Sequence, residues 1–489
     1  MKNSTVYSAT LGVREKRGNP QIWIESRRID AAGFCIGASY SVHFDSDRRV
    51  ITLQQSATGD RQVSRKKAAA SYVPLIELNN KALAELLPEG VDRVNVSARR
   101  GEIEITVPER DVQIAQRVER LQKRLAEGKP LRVGECFAGG GVMADAIHQG
   151  FKESGIATST EFLVEFDKGY LNQLLLNERL IDDHTKVLNQ DIRDVDLNAV
   201  PPVDLLVQGI PCAGASRAGR TRKGLPFAEA DPLVGSLFMD ALNLVKASGF
   251  PCLLMFENVP DYAKTIGCEV IRNVLGYWGY ELHERVLDQS VGALEARRRW
   301  VLVAVAEGLD FDFDRLIPEP YAPQCMGDIL EEVPEDSPLW RPMTYLFEKQ
   351  KRDIAMGKGH RVKVIDPIDT SVMTIRANYH KSQSDSPLVA HPSQPGLFRL
   401  LTVSEHAKIK DVPERIVEGA GSVLGHTILG QGVLYNLPRS VAKVIAGVLF
   451  ALSGGARQAD KSIKGEIPAA SDPSPPVGGA QLDMFEVAA

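Results

Sequence analysis

Four short apolar runs in the middle of the chain each end at residues able to do chemistry. Leu131–Cys136 leads into Phe137-Ala138-Gly139-Gly140-Gly141, and Phe162-Leu163-Val164 into Glu165-Phe166-Asp167. Val203–Gln208 empties into Gly209-Ile210-Pro211-Cys212, and Cys252–Phe256 ends in Glu257-Asn258-Val259, 45 residues beyond that cysteine. Apolar runs this short read as strands inside a core, and the helical stretches between them make the crossovers of a parallel sheet. Such a sheet gathers ligands at the carboxyl ends of its strands, where these residues stand.

The glycine-rich turn opens a helix over Met143 to Gln149. Glycines there let the backbone approach a ligand at a helix N-terminus, the usual opening of a Rossmann-like nucleotide site. Glu165 follows where that fold places an acid on ribose hydroxyls. A third strand signal, Val187 to Gln190, ends in Asp191. The predicted class is α/β, with a Rossmann-like core.

A cysteine and a glutamate, each at the end of a buried strand, resemble the catalytic core of the DNA cytosine-5 methyltransferases. Carbon 5 of cytosine is a poor nucleophile until something adds to carbon 6. A thiolate suits that addition once its usual pKa of about 8.5 is lowered or its proton is removed on attack. A protonated carboxyl at ring nitrogen 3 stabilises the charge pushed into the ring, and apolar walls favour the neutral form. The resemblance assigns these roles to Cys212 and Glu257. In isolation, a cysteine such as Cys212 is more often a small buried hydrophobe than a nucleophile, and Glu257-Asn258 also reads as a helix cap.

The family's other segments follow in order. Phe137 matches the aromatic residue that contacts the adenine of S-adenosylmethionine, so the resemblance implies a cofactor site of Phe137, Ala138, Gly139, Gly141, Glu165, Asp191 and Pro211. Glu135-Cys136 stands where Asp-Leu is usual. Glu295-Ala296-Arg297-Arg298-Arg299 resembles Gln-x-Arg-x-Arg entering a strand, with Glu295 in place of Gln. Alternate residues share one side of a strand, so Arg297 and Arg299 are assigned to the site, holding the cytosine carbonyl and the carboxylate. Arg399-Leu400-Leu401-Thr402 with Glu405 resembles the Arg-x-Leu-Thr-x-x-Glu helix start, and is also an ordinary capping box. Gly430-Gln431-Gly432-Val433 resembles the closing Gly-Asn-x-Val segment and adds Gln431 to the cofactor set, while Asn436-Leu437-Pro438 offers a competing alignment. The resemblance covers roughly residues 130 to 450. It departs after the nucleophile, where Ala213-Gly214-Ala215-Ser216 replaces Gln-x-Phe-Ser, which puts rate and base-flipping details in question.

An enzyme reaching a ring carbon inside a duplex must rotate the base out, at a few kcal/mol. Ser216, Arg217, Arg220, Arg222 and Lys223 follow Cys212 in a basic, glycine-containing loop suited to phosphates. The insert from 308 to 397 shows no clear periodicity and carries Lys349, Lys351, Arg352, Lys358, His360, Arg361 and Lys363. In the family the corresponding stretch reads the target sequence. Net charge is -5, so DNA binding rests on local basic patches. Six cysteines with no Cys-x-x-Cys argue against zinc and against a disulfide framework. No metal is expected. No apolar leader or membrane-length run is present, and a cytoplasmic, nucleoid-associated monomer of bacterial or phage origin is expected.

Residues 1–110 alternate as short strands separated by turns, in two related copies. They resemble a tandem AbrB-like or SymE-like swapped-hairpin unit closed within one chain, a possible DNA-binding domain with Arg61, Arg65, Lys66 and Lys67 between its copies. A docking or structural domain fits the same pattern. Residues 111–129 form a helical linker with Ile114, Val118, Leu121 and Leu125 on one face. Catalytic segments are expected at 130–307 and 398–452. Residues 453–489 read as a Gly-, Ala-, Ser- and Pro-rich tether. It ends in Gln481-Leu482-Asp483-Met484-Phe485, which resembles the peptide that binds the bacterial sliding clamp. The expected function is S-adenosylmethionine-dependent cytosine-5 methylation of a specific site in double-stranded DNA. A DNA-binding regulator with an impaired methyltransferase domain is the competing reading. RNA cytosine methylation uses the same attack chemistry, but the Glu-Asn-Val and Arg-x-Arg motifs favour DNA.

Overall fold

The computed structural model describes residues 5–454 apart from 69–70, 88–89, 178, 212–213, 216–219, 222, 358–360 and 385. Cys212, Ser216, Arg217 and Arg222 therefore lie outside the described residues, as do Lys358, His360 and the segment Gln481 to Phe485.

The central sheet has seven strands in the order Lys186–Leu188, Thr158–Val164, Leu131–Cys136, Leu205–Gln208, Leu253–Asn258, Arg299–Ala306, Tyr280–Leu287. Pairing is parallel as far as Leu253–Asn258, and Arg299–Ala306 runs antiparallel to both its neighbours. Side chains alternate between two buried faces, as the strand period of two requires. Leu205, Val207, Leu253, Met255, Val301 and Val303 pack one core with Ile147, Phe151, Val441 and Ile445. Leu206, Leu254, Phe256, Leu302 and Ala304 pack the other with Leu244, Val245, Ile271 and Leu275. Helices therefore cover both faces: Val142–Glu153 and Asn436–Leu452 on one, Leu237–Ala247 and Ile266–Tyr277 on the other. Gly150 allows the first two to touch, because a Cβ there would sit 2.4 Å from the Arg439 carbonyl oxygen. The last helix thus returns the chain to the sheet it began.

The N-terminal segment builds its own core around Ile22, Ile24, Ile51, Leu53, Ile76, Leu78, Ile103 and Ile105. Strand, short helix, strand, strand occurs twice: Asn19–Glu25, Arg27–Ala32, Ser39–Asp45, Val50–Gln55, then Tyr72–Leu78, Lys81–Leu86, Arg93–Arg99, Glu102–Thr106. The copies pair with each other, first strand to first (Ile22 with Leu78, Glu25 with Leu75) and last to last (Ile51 with Ile105, Leu53 with Ile103). The helix Glu109–Ala126 joins this unit to the sheet, with Val112 in the N-terminal core and Leu121 in the central one. Arg117 donates to the Gly279 carbonyl, Arg120 to Gly249 (3.1 Å), and Arg93 to the Tyr277 hydroxyl (3.1 Å). Those partners precede Tyr280–Leu287 and Leu253–Asn258, so the unit docks at the amino-terminal end of the sheet, away from Glu257.

The insert contains a helix, Thr344–Ala355, where the sequence shows no periodicity. Only Leu346 and Asp353 are buried on it, so no apolar stripe marks it in the sequence. It accompanies a small sheet of Arg341–Pro342, Leu397–Arg399, Leu388–Ala390 and Val364–Ile365. No single helix among the described residues is long and apolar enough to cross a membrane.

Candidate active site

The turn after Leu131–Cys136 is built for close approach. Phe137 adopts a left-handed φ of 59°, a strained setting for a residue with a side chain, and Gly139 and Gly141 follow at 56° and 84°. Glu165 closes this turn, accepting from the Gly139 amide through Oε2 (2.7 Å) and from the Asp167 amide through Oε1 (2.7 Å). Burial raises its pKa against those bonds. Ala138 is buried and its amide donates to the Val164 carbonyl (3.3 Å). Beneath the turn, burial and the nearby Asp145 push Glu135 up to about 8, which keeps that carboxyl neutral.

Phe166, unremarked in the sequence, is 73% exposed immediately after Glu165. A large apolar ring left in water beside a ligand-type turn is the signal that could have found it. Asp191 turns to Arg193, accepting its guanidinium at 2.9 and 2.5 Å, and that cation lowers its pKa.

Glu257 and Arg299 meet where Leu253–Asn258 pairs with Arg299–Ala306, Arg299 Nε lying 2.7 Å from Glu257 Oε1. Burial raises the Glu257 pKa, opposed by Arg299 first and then by Arg297 and Lys410. Gly209 brings the cysteine loop alongside: a Cβ on it would lie 3.7 Å from the Phe137 carbonyl oxygen and 4.0 Å from Glu257 Oε2. Asn258 holds that loop through a buried bond from Nδ2 to the Ile210 carbonyl (3.0 Å). The Glu-Asn-Val motif contains it, but its positioning task emerges only in three dimensions. Pro211 sits over a small cavity closed by Phe238 and Tyr262.

Arg297, grouped with Arg299 by spacing, is turned to other partners than Glu257. Its Nη1 approaches Glu295 (3.4 Å), and its Nη2 donates to the carbonyls of Gly430 (2.9 Å) and Gln431 (3.0 Å). Gln431 ends the helix Ser422–Gln431, which abuts the glycine turn: a Cβ on Gly140 would meet Ile428 at 2.5 Å. Asn436, the competing residue, spends its amide on the Gly292 carbonyl (2.7 Å) and on Arg439 (3.0 Å). In the basic loop, Arg220 donates to the Ala215 carbonyl (2.6 Å) and Lys223 pairs with buried Asp231 (2.6 Å), so both cations tie the loop to itself.

The geometry joins a turn fit for a nucleotide-like ligand to a buried carboxyl gripped by one guanidinium, with Gly209 between them. The sequence family described as C-5 cytosine-specific DNA methylase matches residues 131–447. The type II methyltransferase M.MspI of Moraxella sp is 28% identical over 266 residues, spanning 52% of this chain and 59% of its own length. M.NlaX of Neisseria lactamica is 27% identical over 335 residues, 66% of this chain and 98% of that protein. Among solved structures, the S. pombe Dnmt2 methyltransferase aligns with a TM-score of 0.51 at 20% identity, covering 66% of this chain and 99% of its own. That likeness shows a shared methyltransferase fold.

Proposed function

We propose that this chain, which belongs to the C-5 cytosine-specific DNA methylase family, transfers a methyl group from S-adenosylmethionine to carbon 5 of cytosine in double-stranded DNA. The observation that carries the reading is the buried Glu257 held by Arg299 at 2.7 Å beside the loop that leads to Cys212. The left-handed Phe137, the glycines after it, Glu165 and the exposed Phe166 would hold a nucleoside, Glu165 its ribose and the two rings its base. Bound there, S-adenosylmethionine supplies an electrophilic methyl group.

In this reading Cys212 adds as thiolate to carbon 6 of an extruded cytosine. Glu257, whose pKa burial raises, shares its proton with ring nitrogen 3 and takes up the charge of that addition. Arg299 fixes the carboxyl and reaches the cytosine carbonyl edge, a planar donor suited to two acceptors. Arg297 acts on Glu257 through space. After methylation the carbon-5 proton leaves to water or a nearby base, and elimination of Cys212 restores the aromatic ring. Arg220 and Lys223 reach DNA phosphates only after giving up the Ala215 carbonyl and Asp231. Readout of the target is assigned to the insert.

The test is 5-methylcytosine sequencing of DNA from a methylation-free host expressing the chain or its Cys212→Ala form. Methylcytosine at one short motif, in the unsubstituted chain only, is the expected result. Unmethylated DNA from folded, cofactor-binding protein overturns the assignment in favour of a DNA-binding regulator.

A further inference from the structure

Glu295 is fully buried, and four segments converge on it. Its strand, Glu295–Ala296, pairs with Val372–Met373 of the insert. Its Oε1 accepts from the Ile375 amide (2.8 Å), and Thr374 Oγ1 donates to the Ala296 carbonyl (2.6 Å). Its Oε2 lies 3.0 Å from Nζ of Lys410, which is equally buried at the end of the helix Val403–Ile409. Lys410 Nζ donates to the carbonyls of Leu429 (2.6 Å) and Gly432 (2.9 Å), while Arg297 takes those of Gly430 and Gln431. Two cations thus satisfy four successive carbonyls at the end of the helix that abuts the cofactor turn, and Glu295 is the counter-ion of both.

Resting on the methyltransferase reading, we propose that Glu295 and Lys410 are positioning residues, a buried charge pair that locks the recognition insert, the Glu257–Arg299 pair and the cofactor turn into one register. The usual Gln in place of Glu295 would take from Lys410 the carboxylate it meets at 3.0 Å. The pair also sets the field at Glu257, because Lys410 and Arg297 both act on that carboxyl through space. The charged groups around Glu257 are Arg299 from its neighbouring strand, Arg297 just before that strand, Glu295 beyond them and Lys410 from the helix end. Around Lys410 are Glu295, Arg297, Arg299 and His406.

The experiment compares the full chain with Glu295→Gln, Lys410→Met and the double variant. Methyl transfer from labelled S-adenosylmethionine to bulk DNA of a methylation-free host is followed across pH, beside cofactor binding and thermal unfolding without ligand. Each single variant should lower kcat by about tenfold or more, as loss of alignment does. In Glu295→Gln the loss of that negative charge favours the Glu257 carboxylate, so the alkaline limb moves to lower pH. In Lys410→Met the charge that burial already holds down to a pKa of about 7 is gone, so the limb should not move to lower pH. The double variant should return kcat to within about threefold, as interacting sites do, and recover most of the lost melting temperature. Limbs that both move to lower pH, a Glu295→Gln limb that does not move, or a double variant no better than the singles, overturn the proposal. An unsubstituted chain that transfers no methyl group removes the enzyme reading and this assignment with it.

Discussion

The Arg399–Glu405 and Arg299–Glu257 pairs are both buried, and they differ in how completely the carboxylate is satisfied. Arg399 and Glu405 make two bonds of 2.7 Å, and Glu405 also accepts the amides of Thr402 (2.7 Å) and Glu331 (2.8 Å). Arg299 and Glu257 share one contact of 2.7 Å, and Glu257 has no other hydrogen-bond partner among the described residues. The first carboxylate is saturated and ties the return of the insert to the helix Val403–Ile409. The second makes one contact among the described residues, and its burial raises its pKa. A saturated buried ion pair marks structure, and an unsaturated one at strand ends marks chemistry.

Substitutions can break this contrast. Glu257→Gln should cut kcat by about 10²- to 10⁴-fold, the scale of a lost proton-transfer group, while leaving the melting temperature close to or above that of the unsubstituted chain. Steady-state methyl transfer and calorimetry check both halves. A stability loss matching the activity loss would make Glu257 structural. Arg399→Met should do the opposite, destabilising by about 3–5 kcal/mol because Glu405 is left charged and buried. Denaturant unfolding measures it, and an effect within 1 kcal/mol would contradict the saturated-pair view. Asn258→Ala should cost about 1–3 kcal/mol by stranding the Ile210 carbonyl. It should also lower kcat more than cofactor affinity, which titration of the cofactor separates from turnover.

The smallest effect is in pH. Since the folded-state pKa of Glu257 is raised, the folded chain keeps a proton that the unfolded chain releases above about 4.5. Its contribution therefore falls as pH rises from there through the folded pKa. Melting curves across that range should fall more steeply for the unsubstituted chain than for Glu257→Gln. Parallel curves would show that the burial of Glu257 does not disfavour its charge.

Much of the site was legible because it depends on local order along the chain. Strands ending at Phe137, Glu165, Gly209 and Glu257 announce themselves by apolar runs followed by turn residues, but Arg297 precedes the strand Arg299–Ala306, so the expected alternation of the two arginines along one strand does not hold. Alternation could not tell which arginine meets Glu257, because that depends on the Leu253–Asn258 neighbour and on carbonyls 133 or more residues away. The basic loop read as phosphate-binding from its charges. The partner of Lys223 is Asp231, eight residues on, and only the fold of the loop brings them together. The helix Thr344–Ala355 stayed hidden because its buried side is too small to pattern the sequence.

The sequence by itself determined the α/β core, the order of its motifs and the residue types available for catalysis, since buried strands and glycine turns are encoded in contiguous residues. Only the tertiary structure decided which carboxylates are saturated, that Lys410 and Arg297 share Glu295, and that the N-terminal unit sits at the far end of the sheet. Those outcomes depend on charges and carbonyls far apart in the chain being brought within hydrogen-bond reach. Electrostatic energy in a buried setting is decided by distances of a few ångströms, which spacing along a chain does not contain.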